Sequence, residues 1–161
     1  MNNYDINEVL FLSLEIYLDN SATTRPCPEA IEAANQMMLT CWGNPSSTHA
    51  KGNEAAKKIK EARRVIASTL SASPEEIFFT SGGTEANNIA VFGAANKNRR
   101  IGKRIVTTAI EHSSVFDSVT DLEKQGFEIV RLTPDASGHI SPEQADNAIT
   151  SDTILVTMMM V

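Results

Sequence analysis

From residue 76 to the end of the chain, short β-prone runs alternate with helix-periodic segments, and few folds accommodate that alternation. "EIFFT" (76–80), "RIVTT" (104–108), "FEIVRL" (127–132) and "TILVTMMMV" (153–161) read as strands; Thr84 to Ala95, Ser113 to Gln125 and Pro142 to Ile149 read as helices. Strands separated by helices of about ten residues argue for right-handed crossovers, because a tight turn cannot return the chain to start a parallel neighbour. The expected fold class is α/β, a mainly parallel sheet with helices on both faces.

Upstream the pattern is less regular. "IYLDNSATT" reads as a brief strand entering a loop, Pro26 and Pro28 mark a helix entry, and "EAIEAANQMMLT" places Ala30, Ile31, Ala34, Met37 and Met38 at helical spacing. The Gly, Asn, Pro and Ser content of "CWGNPSSTHAKG" predicts a loop, and a second helix is predicted from Asn53 to Leu70. Its buried stripe would be Ala56, Ile59, Ala62, Ile66 and Leu70. Met158 to Met160 read as soft core packing and not as a metal site. A last strand that is buried and apolar ordinarily leads into another loop and covering helix, so the 161 residues are expected to be the front part of a larger protein.

Charge and cysteine content exclude several function classes. A net charge of −6, with Glu54 and Glu61 set among the densest basic group (Lys57, Lys58, Lys60, Arg63 and Arg64), lacks the concentrated basic face that nucleic acid requires. Cys27 and Cys41 make no disulfide framework, and without a CxxC pair or Cys/His ligand spacing no zinc site is expected. "VLFLSL" (9–14) is too short to span a membrane, and acidic residues precede it where a signal peptide would be basic. A cytoplasmic compartment with reduced thiols follows as the expectation.

In α/β sheets, ligands sit beyond the carboxyl ends of strands, where loops give way to helix N-termini, and "TSGGTEANN" occupies such a position. Gly82 and Gly83 allow positive φ and close approach to the backbone, Thr84 offers a cap and a hydroxyl, and the free N–H groups of a first helical turn favour an anion. Two readings stay open: a phosphate site, or a tight strand-to-helix turn holding only water. The motif is neither a Walker loop, since the Gly-Lys-Ser/Thr ending is missing, nor a dinucleotide fingerprint, since the third glycine is absent. His112 follows the next strand and precedes the next helix, so it opens toward the same edge. A single histidine is more often a packing or capping residue, a margin that the strand-end position narrows without reversing, and Ser113 is the candidate N-cap. His49 and His139, in loops, receive no catalytic role.

Taken together, "YLDNSATT" (17–24), "GNPSSTHAKG" (43–52), "EIFFTSGGTEANNIA" (76–90) and "EHSSV" (111–115) resemble, in order and spacing, the cysteine desulfurases of the class V aminotransferase group. These are fold-type-I enzymes that depend on pyridoxal 5'-phosphate. The resemblance runs from about Ile16 to the last residue. It implies that residues 16–161 are the N-terminal portion of a cofactor-binding large domain, and that 1–15 form an extension of the kind that packs with a small domain. It implies further that Gly83 and Thr84 bind the cofactor phosphate, that His112 stacks on the pyridine ring and assists proton transfer, and that Asn20, Ala22, Thr23 and Asn44 line the substrate.

The implied reaction takes L-cysteine to L-alanine and an enzyme persulfide, with the sulfur passed to an acceptor or scaffold protein for iron–sulfur cluster or thio-cofactor assembly by a homodimer. The family's cofactor-holding lysine and nucleophilic cysteine lie well beyond this length. None of the chain's lysines has the matching context, and Cys27 and Cys41 match neither the cysteine's context nor its place. The chain alone is therefore expected to be inactive. Alternatives are another class V enzyme, such as a selenocysteine lyase or an aminotransferase, and a non-catalytic α/β module that binds a phosphorylated ligand. No nucleic-acid or membrane partner is expected.

Overall fold

A computed structural model of the chain describes residues 16–160, which divide into two compact units at the Ile77–Phe78 bond. The extension expected over 1–15, with its "VLFLSL" run, lies outside the described residues. Among the described residues, no helix is long and apolar enough to cross a membrane.

The first unit is helical. Helix α1, Pro28–Thr40, starts on a proline whose fixed φ suits a first helical position and whose missing N–H would have had no helical acceptor. Helix α2 runs Ala50–Thr69 and so begins ahead of the predicted Asn53. His49 makes the difference, because its Nδ1 accepts the Gly52 N–H at 3.4 Å and caps the helix from within the expected loop. Gly52 is required there: a Cβ on it would stand 2.1 Å from the Ser47 carbonyl oxygen.

Two expectations for this unit are not met. No strand forms at "IYLDNSATT"; instead the Asp19 carbonyl accepts the N–H groups of Ala22 (3.1 Å) and Thr23 (3.3 Å), which closes a turn. The α2 stripe is not buried either: Ile59, Ile66 and Leu70 are exposed, and the buried residues are Gly52, Ala55 and Ala67. The element packed on α2 within its unit is the short 3₁₀ turn Pro74–Glu76, too small to cover a twenty-residue helix.

The second unit carries the alternation. Helix α3, Gly83–Asn98, is followed by β1 (Arg104–Thr108), α4 (Ser113–Lys124), β2 (Glu128–Leu132), α5 (Pro142–Ala148) and β3 (Thr153–Val156). The three strands form one parallel sheet in the order β2-β1-β3, with Ile105 opposite Ile129 and Leu155. Strand β1 is central and buried on both faces, which accounts for its run of Ile105, Val106, Thr107 and Thr108. On one face Ile105 joins Val91 and Ala95 of α3, Val115, Val119 and Leu122 of α4, and Phe127 in a single apolar cluster. The step from β1 to β2 is reversed in direction by the step from β2 to β3, so right-handed crossovers put α4 and α5 on opposite faces.

"EIFFT" is a correction. Glu76 is held by the Ser73 N–H and hydroxyl, both 2.8 Å from its Oε2, and Ile77 to Thr80 join no ladder. Phe78 is 78% exposed and Phe79 51%, so neither is packed as the residues of a buried strand are. Pairing of the last strand likewise stops at Val156, which leaves Met158 and Met160 exposed and not packed in a core.

Gly102 shows how tightly β3 closes on β1. A Cβ there would lie 2.0 Å from the Asp152 carbonyl oxygen, and that same oxygen accepts the Arg104 N–H at 3.3 Å. Gly102→Ala is expected to destabilise the second unit by about 1–3 kcal/mol, the usual range for forced overpacking, read as a lower midpoint in urea unfolding followed by circular dichroism. An unchanged midpoint contradicts the close approach.

Candidate functional site

The Gly82–Gly83 turn leads into α3 with an extended backbone at Gly82 (φ 168°, ψ −179°), and neither glycine lies in the left-handed region. The expected conformational need for glycine is therefore not what this turn shows. What the turn does show is open space, since apart from the neighbouring residues and the helix's own backbone no atom lies within 4 Å of where a Cβ on either glycine would stand. The first i→i−4 bond of α3 runs from Ala86 N–H to the Gly82 carbonyl at 3.1 Å, which leaves the N–H groups of Gly83, Thr84 and Glu85 ahead of the helical ladder. Thr84 is not the cap: it sits inside the first turn, exposed, and its hydroxyl makes no hydrogen bond among the described residues.

An open approach, first-turn donors and a free hydroxyl fit a phosphate group. The carboxylate nearest to that turn in sequence is already engaged. Glu85 Oε2 accepts from the Ser81 N–H (2.6 Å) and hydroxyl (2.7 Å), folding the side chain back over the loop. The Ser81 backbone N–H, and after it the Ser81 hydroxyl, hold the Glu85 carboxyl below the usual glutamate range.

His112 is the N-cap of α4, displacing Ser113 from that role. Its Nδ1 accepts the Ser114 N–H at 3.1 Å and lies 2.8 Å from the Ser114 hydroxyl. That hydroxyl in turn accepts from the Asn87 side-chain amide of α3 at 2.8 Å. One turn further along α4, the Ser118 hydroxyl donates to the Ser114 carbonyl at 2.7 Å and lies 3.3 Å from Asn88 Oδ1. These bonds, with the Val91, Ala95, Val115, Val119 and Leu122 cluster below them, set α3 and α4 side by side with their first turns together. Gly83, Thr84 and His112 thus share one end of the same helix pair.

Glu111 secures the loop just before His112. Its Oε1 accepts the Thr108 hydroxyl at 2.7 Å and the Met159 N–H at 2.9 Å, tying the end of β1 to the segment after β3. The other predicted site residues lie in the first unit. Asn20 donates from Nδ2 to the Tyr17 carbonyl at 3.2 Å, and Ala22 and Thr23 stand in the Asp19 turn. Asn44 occupies a separate loop, where its Oδ1 accepts the Ser46 N–H at 2.9 Å.

Asn87, Ser114 and Glu111 were not among the expected site residues. A signal for Asn87 was present: it heads the stripe Asn87, Val91, Ala95 at intervals of one helical turn, where an amide must find a partner. Cys27 is exposed before α1 and Cys41 is buried, both as free thiols.

Because Glu85 is depressed in the folded chain, its contribution is complete above the ordinary glutamate range of about 4.3 and is lost as pH falls through the lower folded value. Acidification should loosen the Ser81 N–H, seen as a lower protection factor for its amide exchange relative to the intrinsic rate at each pH, and Glu85→Gln should remove the acid-dependent part of that change. A carboxyl titration at or above the ordinary range would contradict the bond.

Residues 16–161 match the family described as "Aminotransferase class-V". The protein named "Cysteine desulfurase IscS" of Methanosarcina thermophila is 45% identical over 144 residues, covering 89% of this chain and 36% of that protein. Among solved structures, one titled "NIFS-LIKE PROTEIN" superposes with a TM-score of 0.82 at 34% identity, over 90% of this chain and 40% of that one. Another, titled "SspA in complex with cysteine", gives 0.79 at 38% identity, over 89% and 42%. The chain thus spans well under half the length of the proteins it matches.

Proposed function

Since the chain belongs to the class V aminotransferase family, we propose that it is the N-terminal part of a pyridoxal 5'-phosphate-dependent cysteine desulfurase. The reaction takes L-cysteine to L-alanine, with the sulfur transferred to an enzyme thiol as a persulfide. The observation that carries the reading is the Asn87–Ser114 bond, because it brings the open first turn of α3 and the capping histidine of α4 to one end of one rigid pair. Relatives that share 40 to 45% identity and bear the desulfurase name support it, as does a structural neighbour whose title includes cysteine.

Within this reading the electron sink that such chemistry needs is what bound pyridoxal phosphate supplies. Gly83 and Thr84 hold the phosphate, through first-turn N–H groups and the free Thr84 hydroxyl. His112 would stack on the ring and assist proton transfer. Asn20, Ala22, Thr23 and Asn44 line the substrate side. Residues 16–161 form the N-terminal portion of the large cofactor domain. The working protein is a cytoplasmic homodimer that hands its sulfur to an acceptor or scaffold for iron–sulfur cluster or thio-cofactor assembly.

The lysine that holds the cofactor and the thiol that takes the sulfur belong to the rest of that protein, so the chain alone should not turn over. Treated with pyridoxal phosphate and borohydride, the 161-residue chain should retain no stoichiometric cofactor on one lysine. The full-length protein should retain one per chain and release alanine from cysteine. Stoichiometric trapping on the chain alone, or a full-length protein that neither traps cofactor nor forms alanine, overturns the reading.

A further inference from the structure

We propose that Asn87 and Ser114 are positioning residues that fix His112 as the tautomer bearing its proton on Nε2. A backbone N–H can only donate, so the 3.1 Å bond from Ser114 N–H requires Nδ1 of His112 to be an acceptor. The Ser114 hydroxyl reinforces this. Its oxygen accepts from the Asn87 amide at 2.8 Å, which directs the hydroxyl proton along its other short contact, 2.8 Å to the same Nδ1. Asn87 Nδ2–H to Ser114 Oγ–H to His112 Nδ1 is then a one-way chain of donors.

Burial makes the chain selective. Ser114 is only 7% exposed and Asn87 is half-buried, so no bulk water competes freely for the hydroxyl, whereas the His112 residue itself is exposed. In its neutral form the ring presents a donor, Nε2–H, at its free edge and keeps its basic nitrogen turned into the helix pair. Whatever binds at this end of α3 and α4 therefore meets a hydrogen-bond donor at the free edge of the imidazole and not its basic nitrogen. That consequence for catalysis rests on the proposed function; the tautomer itself rests on the hydrogen bonds alone.

The test needs no cofactor. Long-range ¹H–¹⁵N correlation spectra of the ¹⁵N-labelled full chain, recorded with the imidazole neutral and assigned by the signal lost in His112→Gln, report directly which ring nitrogen is protonated. The parent chain is expected to show Nε2–H as the dominant form. Asn87→Asp replaces a donor to the hydroxyl with an acceptor from it, so it draws the Ser114 proton away from Nδ1. It should raise the Nδ1–H population roughly fivefold, the factor one net hydrogen bond carries. Ser114→Ala, which removes the hydroxyl and keeps the backbone donor, should move the ratio in the same direction, and Ser114→Thr should restore it. A dominant Nδ1–H form in the parent overturns the proposal without any variant, and so does an unchanged ratio in Asn87→Asp with helicity retained. Absence of cofactor binding in the full-length protein would instead count against the desulfurase reading and leave the tautomer result standing.

Discussion

The hydrogen bond from Asn87 to Ser114 is the constraint on which the arrangement of this unit's chemistry depends. Helices packed on a sheet can slide by a turn at modest cost to apolar burial, since Val, Ala and Leu side chains are tolerant of one another. A half-buried amide is not tolerant: left unpaired it costs on the order of 1–3 kcal/mol. Asn87 against Ser114, with the adjacent Asn88 against Ser118, therefore sets the register of α3 against α4, and the apolar cluster beneath supplies the affinity. Register in turn decides that the first turn of α3, with Gly83 and Thr84, lies at the same end of the helix pair as His112.

Much of this fold is legible in the sequence, and the failures share one cause. β1, β2, α4 and α5 fall within a residue or two of where periodicity puts them, because each has its partner within the second unit. "EIFFT" has the composition of a strand and is not one here: a strand exists through its ladder, and no described strand pairs with Ile77–Thr80. The α2 stripe and Met158–Met160 have the spacing or apolarity of a core but lack enough covering surface. Local pattern reports what a segment is able to do; pairing and burial decide whether it does so.

The site follows the same division. The "SGGT" turn and His112 are conspicuous in sequence because glycine pairs and strand-end histidines are uncommon, yet their detailed roles differ from the local reading. Gly82 and Gly83 stand in an open turn outside the left-handed region, Thr84 leaves its hydroxyl free by not capping, and His112 takes the cap position that Ser113 was expected to fill. Asn87 and Ser114 escape notice because their meaning lies in a contact between residues 27 apart in the chain. That contact converts an ordinary capping histidine into one with a defined proton.

A crystal structure of the full-length protein with pyridoxal phosphate bound is the most direct test of the account. The phosphate oxygens should accept from the first-turn N–H groups at Gly83 and Thr84 and from the Thr84 hydroxyl, with the His112 ring lying against the pyridine. A phosphate held elsewhere, or His112 turned away from the ring with Asn87 and Ser114 still bonded, would contradict it.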